Sequence, residues 1–441
     1  MSIADNLASI DTIVIAMMEN RSFDHVLGHM SHESFGGRTD VDGLHQHSAT
    51  FDWDNPDEQG NLYAPTATPD GYLPSDLPHS RDAVAIDLGG GAMNGFIKAY
   101  FASQSTDRSP APMRFCRPAD IPVTAALAQR YTVCDRWFSS LPNDTFPNRL
   151  MALSGTTMID STTGIEPVIN PVPSQNTIFD WLADKGKRFE IYVDAQPISD
   201  VGAPSFLLMM NSQWKHLANA HTLDALQGRW ASANQAPDVI YCEPFYNDFA
   251  TAIGTHGSCN HPPLPMAYGE AFLKKIYEAL TSNPDKWGNT MLVICFDEHG
   301  GFFDHVAPPG MKYNPPPGNK WTRPAPFTTL GVRIPAIVVS PFAPKGACFS
   351  GLLDHTSIQQ LMVDRFGTPG DLAYFGDAVA RKNNRVGSLA QTLSADAPDG
   401  SVLTLPAAPT IAGGWATSPA LTDLAKLFRK AIAAFRSSKN P

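Results

Sequence analysis

The sequence predicts an α/β protein: a mostly parallel central sheet flanked by helices, with long loops forming a lid over the strand ends. Three observations carry this expectation. Short, continuous apolar runs rich in β-branched residues, at 13–18 (IVIAMM) and 291–296 (MLVICF), have the length and composition of buried strands. Amphipathic stretches of helical period lie between such runs, as at 177–185 and about 266–281. Both runs also stop on adjacent polar side chains, Glu19–Asn20 and Asp297–Glu298–His299. Ligand sites of open α/β sheets lie just beyond such strand ends.

Each element follows from its local signal. After the first strand, a helix is expected to begin near Ser22. From about 32 to 88 the chain is polar, rich in Pro, Gly, Asp and His, and without periodicity, which marks a functional loop or lid. Residues 94–101 and 121–130 read as helices, the second with Pro122 in its first turn. Residues 131–134 read as a short strand, and a helix starts near Thr145 and continues through 149–153. A Thr-, Pro- and Ser-rich loop over 157–176 precedes the helix at 177–185, which Gly186 stops. Strands are expected at 189–193, 238–242 and 291–296, with the helix at about 266–281 between the last two. A Pro-rich loop at 308–328 leads to a strand at 331–342, and 353–366 turns helical after Asp354, His355 and Thr356. Beyond 370 the pattern is irregular, with a last helix at about 418–436. The whole reads as one domain over 1–441, with about 32–88 as the lid and about 390–441 as a C-terminal extension.

Composition narrows the function classes. Charged residues at 17% and hydrophobic residues at 43% are a globular balance. A formal net charge of −11 argues against a nucleic-acid backbone as partner and against polybasic attachment to anionic membranes. No apolar run approaches the about 18 residues of a membrane span. The start, MSIADNLASID, lacks a basic stretch followed by a long apolar one, so the protein is expected to be cytoplasmic or to have lost or bypassed a leader. None of the six cysteines forms CxxC, which disfavours a structural zinc site. Cys295 reads as a reduced core residue, while Cys242 and Cys259 flank an irregular loop and either pair or stay apart. Nothing in the sequence speaks to the oligomeric state.

The polar strand ends carry the chemistry. If the two strands are parallel neighbours, Glu19, Asn20, Asp297 and Glu298 converge. Three close carboxylates repel, and burying them unpaired is expensive. One divalent metal ion is the simplest remedy, and oxygen ligands favour a calcium-, magnesium- or manganese-like ion. Thr145 sits at a helix start, where it is either an ordinary cap or a nucleophile beside amides that bind phosphate. His79 is either a solvated loop residue or a phosphate contact.

Three motifs in this order resemble a known family: ENRSFDH after the first strand, TFPNR at 145–149 and DEHGGFFDHV at 297–306. They are similar to the bacterial and plant phosphoesterase family, which holds phosphatidylcholine-type phospholipases C and acid phosphatases. The resemblance runs from about 10 to about 370 and implies an alkaline-phosphatase-like fold. It implies Thr145 as nucleophile, held with Glu19, Asn20, Asp297 and Glu298 on the metal. It also implies His79 and His261 as catalytic partners that stabilise phosphate or protonate the leaving group. Asn148, Arg149, His305 and His355 complete the expected substrate-binding set; Asn148 and Arg149 either help orient Thr145 or hold phosphate, Arg149 has a structural ion pair as a further reading, and His355 a helix cap. The expected activity is hydrolysis of a phospholipid or small phosphate ester through a phospho-threonine, with only transient contact with a membrane surface. A Thr nucleophile resembles the phospholipase branch, a Ser the acid phosphatases. Phe51, Trp53, Tyr63 and Tyr72 in the lid, with nearby acids, would suit a quaternary ammonium head group or simply pack the lid. A non-catalytic metal- or phospholipid-binding protein is the alternative of another class, and the absence of a C-x-P-x-R motif disfavours a sulfatase.

Overall fold

The computed structural model describes residues 1–45, 53–67, 76–104, 107–162, 171–194, 209–232, 234–246 and 256–410. Its centre is an eight-stranded sheet. In chain order the strands are β1 (Thr12–Met18), β2 (Thr132–Cys134), β3 (Phe189–Val193), β4 (Ala220–Thr222), β5 (Val239–Glu243), β6 (Thr290–Phe296), β7 (Ala336–Val339) and β8 (Cys348–Phe349). Across the sheet they lie in the order β8-β2-β7-β6-β1-β5-β3-β4. Every pairing is parallel except the two that β7 makes, with β6 and with β2.

β1 and β6 are buried along all seven residues each, which is why both read as unbroken apolar runs. Each large side chain so buried contributes about 2 kcal/mol of hydrophobic free energy. Helices cover both faces, as strands without a polar side require. Pro122–Arg130 packs on Ala267–Thr281, and Thr145–Ser154 packs on Thr356–Phe366 and Ile178–Asp184.

The antiparallel β7 has a simple cause. Between Phe296 and Ala336 the chain forms no helix to carry it back across the sheet. It therefore re-enters from the end where β6 left and must run the other way. The expected strand at 331–342 shortens to Ala336–Val339. The expected lid contains a helix the sequence reading lacked, Arg81–Leu88, capped by Ser80 and ended by Gly89 in the left-handed region. Beyond 370 the chain still makes a short helix, Ala378–Asn383. The last helix expected at about 418–436 lies outside the described residues. Cys242 and Cys259 form no disulfide and are buried; Cys295 lies within β6 as a buried thiol. Among the described residues, no helix is long and apolar enough to cross a membrane.

Candidate active site

β1 and β6 end level, with Met18 opposite Phe296, so Glu19–Asn20 and Asp297–Glu298 leave the sheet side by side. The two loops then lock together. Asn20 takes the left-handed conformation at φ 56°. Its N–H donates to Asp297 Oδ1 at 3.0 Å, and the Arg21 N–H donates to the Glu298 carbonyl at 3.1 Å. Gly300 must be glycine here: a Cβ would stand 2.2 Å from the Asn20 carbonyl oxygen, at a φ of +63°.

Thr145 is the first residue of Thr145–Ser154, with Asp144 before it as the cap. Its Oγ1 donates to Asn20 Oδ1 at 3.2 Å, which brings the TFPNR helix to the end of β1. The helix lies there because Asn148 braces the loop before it. The Asn148 amide accepts from the Leu141 N–H and donates to the carbonyls of Leu141, Asn143 and Asp144. Asn148 thereby holds the loop that carries Thr145, the geometry of the orienting role expected for it, with its amide hydrogens on main-chain carbonyls.

Arg149 is fully buried. Its Nε donates to Asp297 Oδ2 at 3.1 Å, one terminal nitrogen donates to the Met18 carbonyl at 3.0 Å, and Glu19 stands 4.0 Å away. The structural ion pair is thus the geometry found. Burial pushes Asp297 up to about 7; Arg149 opposes this, and Glu19 and Glu298 add to it. Burial also pushes Glu298 up, but His79, His299 and the Gly300 amide outweigh it and hold the carboxyl below its usual range.

His79 reaches the same place from the lid. Its Nδ1 donates to the Leu77 carbonyl at 2.7 Å, and its Nε2 lies 3.2 Å from Asn20 Nδ2 and 4.0 Å from Glu298 Oε1. Burial lowers its pKa, but the carboxylates of Glu298 and Asp76 more than compensate and lift it to about 10. His261 faces His79 edge-on, with ring centres 5.9 Å apart, and its Nε2 is 3.9 Å from Asp76. The His261 loop is held by Arg21, whose guanidinium donates to the carbonyls of Asn260 and Leu264 at 2.7 and 3.1 Å. Arg21 also donates to a neutral, buried His25.

Two expected substrate contacts are otherwise engaged. The His355 Nε2 donates to the main-chain carbonyl of Asp297 at 2.6 Å, so His355 braces the end of β6 instead of capping its helix. His305 is clamped between Asp24 at 2.7 Å and Asp42 at 3.0 Å, with Trp53 stacked on its face at 4.3 Å. Arg333 completes that buried group, donating to Asp304 at 2.8 Å and Asp24 at 3.1 Å. Asp24, Asp304 and His305 are close enough together to hold a metal, but the guanidinium already supplies the positive charge. Tyr63 meanwhile bonds to Asp57 and packs edge-on against Phe101. Trp53 and Tyr63 are therefore lid-packing residues, and Phe51 and Tyr72 lie outside the described residues.

The residues at the strand ends fit a hard cation. Glu19, Asp297 and Glu298 are all buried; the fully buried Arg149 faces Asp297 and Glu19, while Glu298 faces His79 and His299. Glu298 Oε1 is buried and accepts no hydrogen bond among the described residues. Asn20 Oδ1 and Thr145 Oγ1, 3.2 Å apart, add neutral oxygens at the same strand ends. Among the described residues, Glu19, Asp297 and Glu298 do not all bring a carboxylate oxygen within 4.8 Å of one another, whereas Asp76, His79 and His261 do bring their ligand atoms that close. Asp76, Asp87, Arg21 and the role of His299 escaped the sequence reading. The only local signal was Arg21 and His25 four apart, a pair that reads equally as surface charge.

A model of the phosphoesterase family matches residues 10–369. The chain is 33% identical over 416 residues to non-specific phospholipase C6 of Arabidopsis thaliana, covering 90% of this chain and 75% of that one. It is 32% identical to non-specific phospholipase C1 of the same plant, over 76% of this chain and 62% of that one. It is 30% identical to phospholipase C A of Mycobacterium tuberculosis, over 82% of this chain and 74% of that one.

Proposed function

The chain belongs to the phosphoesterase family and is a hydrolase of phosphoric esters, and from that premise we propose that it cleaves phospholipid-type phosphodiesters in the manner of a phospholipase C, through a phospho-threonine at Thr145. The observation that carries this reading is the 3.2 Å contact between Thr145 Oγ1 and Asn20 Oδ1, at the first residue of a ten-residue helix and beside three buried carboxylates.

Glu19, Asn20, Asp297 and Glu298, with Thr145 Oγ1, would hold one divalent cation, whose chemistry when bound is to polarise phosphoryl oxygens and favour the ionised hydroxyl. Thr145 Oγ attacks phosphorus, and the bond from phosphorus to the leaving alkoxide breaks. His79 and His261 present their Nε2 atoms to the same space, where they carry positive charge toward the phosphoryl group or return a proton to the leaving oxygen. Water then attacks phosphorus and frees the phosphorylated head group from Thr145. Arg149 keeps Asp297 in place and Asn148 keeps the Thr145 loop in place, so neither need touch the substrate.

The phospholipase relatives favour a diester. One observation favours the monoester reading of an acid phosphatase: Trp53 and Tyr63 are occupied in lid packing, so neither is a ready wall for a choline group. The nucleophile has a direct test. Thr145→Ala is expected to keep the fold and to lose phosphoester hydrolysis by about three or more orders of magnitude, and Thr145→Ser is expected to retain part of the rate. Near-normal turnover in the alanine variant would remove Thr145 from the mechanism.

A further inference from the structure

Behind Glu298 lies a buried chain of charges that the proposed mechanism does not use. Glu298 Oε2 accepts from the Gly300 N–H at 2.8 Å and stands 3.2 Å from His299 Nδ1. His299 Nε2 stands 3.3 Å from Asp87 Oδ2. All three side chains are at most 1% exposed. A carboxylate thus stands at each ring nitrogen, so the ring spans Glu298 and Asp87. With Glu298 Oε2 so engaged, it is the other oxygen, Oε1, that faces His79 Nε2 at 4.0 Å.

The far end of the chain of charges matters as much. Asp87 lies in the last turn of Arg81–Leu88, and that helix starts at the Ser80 cap, next to His79. The path therefore closes: His79, the helix, Asp87, His299, Glu298 and back to His79. Asp87 is also fixed from behind, since its carbonyl accepts from the Gly95 N–H at 3.1 Å. A Cβ at position 95 would stand 1.7 Å from the Ile86 carbonyl oxygen, so the turn after the helix fits tightly.

We propose that Asp87 and His299 are positioning residues: a histidine ring held between two carboxylates selects which oxygen of Glu298 faces the phosphoester site and ties the lid helix beside His79 to the end of β6. This rests on the proposed phosphoester site for its meaning, although the tether itself does not. A purely structural salt link would stabilise the helix without regard to Glu298. The tether acts through that one side chain.

The test uses the full chain and two readouts. Hydrogen exchange followed by mass spectrometry reports the tether without any metal. Asp87→Asn is expected to speed exchange in peptides covering both 81–88 and 296–301. Manganese affinity, read as free Mn²⁺ by electron paramagnetic resonance, is expected to fall by about ten- to a hundredfold in Asp87→Asn. In a Glu298→Gln background the same change should have no further effect on affinity. His299→Gln serves if Asp87→Asn does not fold, and should repeat both effects. Unchanged exchange at 296–301, or equal effects of Asp87→Asn with and without Glu298, would overturn the proposal. Wild-type protein that binds no manganese would sink the metal reading, while the exchange arm would still decide the tether.

Discussion

Asn20 touches Thr145 with one end of its amide and His79 with the other, while its own N–H is held by Asp297. A single residue thus sets the spacing of three others, which is why its backbone tolerates the left-handed region. The charges around it give the first prediction. Glu19→Gln and Asp297→Asn are each expected to reduce bound divalent metal below about one equivalent and to slow turnover by about a hundredfold or more. Elemental analysis with rate measurement checks this, and full metal content at full rate in both variants would remove the shared site. His305 gives a second prediction, on pH. Burial lowers its pKa, but Asp24 and Asp42 outweigh burial and Arg333, and raise it to about 9. Asp304 and Trp53 also border the group. A histidine raised above its unfolded value of about 6.5 stabilises the fold fully below that pH, and the contribution is lost as pH rises through about 9. Urea unfolding between these limits should show falling stability, and His305→Gln should flatten that slope; an unaltered slope would assign it to another group.

At the scale of elements, the helix Pro122–Arg130 begins without a capping side chain of its own. Glu270, from Ala267–Thr281, does the capping from across the helix pair. It accepts from the Val123 N–H at 2.6 Å, the Thr124 N–H at 3.2 Å and the Thr124 hydroxyl. A carboxylate there also meets the positive end of the helix. Glu270→Gln replaces an acceptor by an N–H₂ group that faces donors, at a cost of about 1–3 kcal/mol. Calorimetry should show a clearly lower Tm with activity retained in the cold; an unchanged Tm would mean that the helices do not depend on this cap. The same scale shows what the sequence could carry. β1 and β6 were legible because seven consecutive buried residues leave a nearly unbroken apolar run, and β3 and β5 because most of their five residues are buried and apolar. β4 and β8 were not, because three and two half-buried residues have no period to read. The helix Arg81–Leu88 was missed inside a polar stretch, although Ser80 and Gly89 stood at its ends as start and stop signals. The reversal of β7 was readable in principle from the missing helix between 296 and 336.

For the whole molecule, the residues that converge at the strand ends were legible, because two apolar runs each ended in acids. The supports behind them were not: Arg21, Asp87 and Arg333 act across 239, 212 and 309 positions of sequence, beyond any local pattern. Substrate choice belongs to this scale too. With phospholipases C as relatives and Thr145 at the site, kcat/KM for phosphatidylcholine micelles and p-nitrophenylphosphorylcholine is expected to exceed that for p-nitrophenyl phosphate. The reverse order would transfer the protein to the monoester reading. The place of β1 in the sheet has a further consequence, for synthesis. β1 is made early, yet its neighbours are β5 and β6, and the bond from Asn20 to Asp297 spans 277 positions. A ribosome adding about 5–20 residues per second needs roughly tens of seconds to bring these partners out. Throughout that interval an apolar segment waits in the nascent chain with neither neighbour strand to pair with. Shielding by the ribosome surface or a chaperone is what that delay demands, and a polypeptide released before Asp297 emerges has made one wall of its reaction centre and not the other.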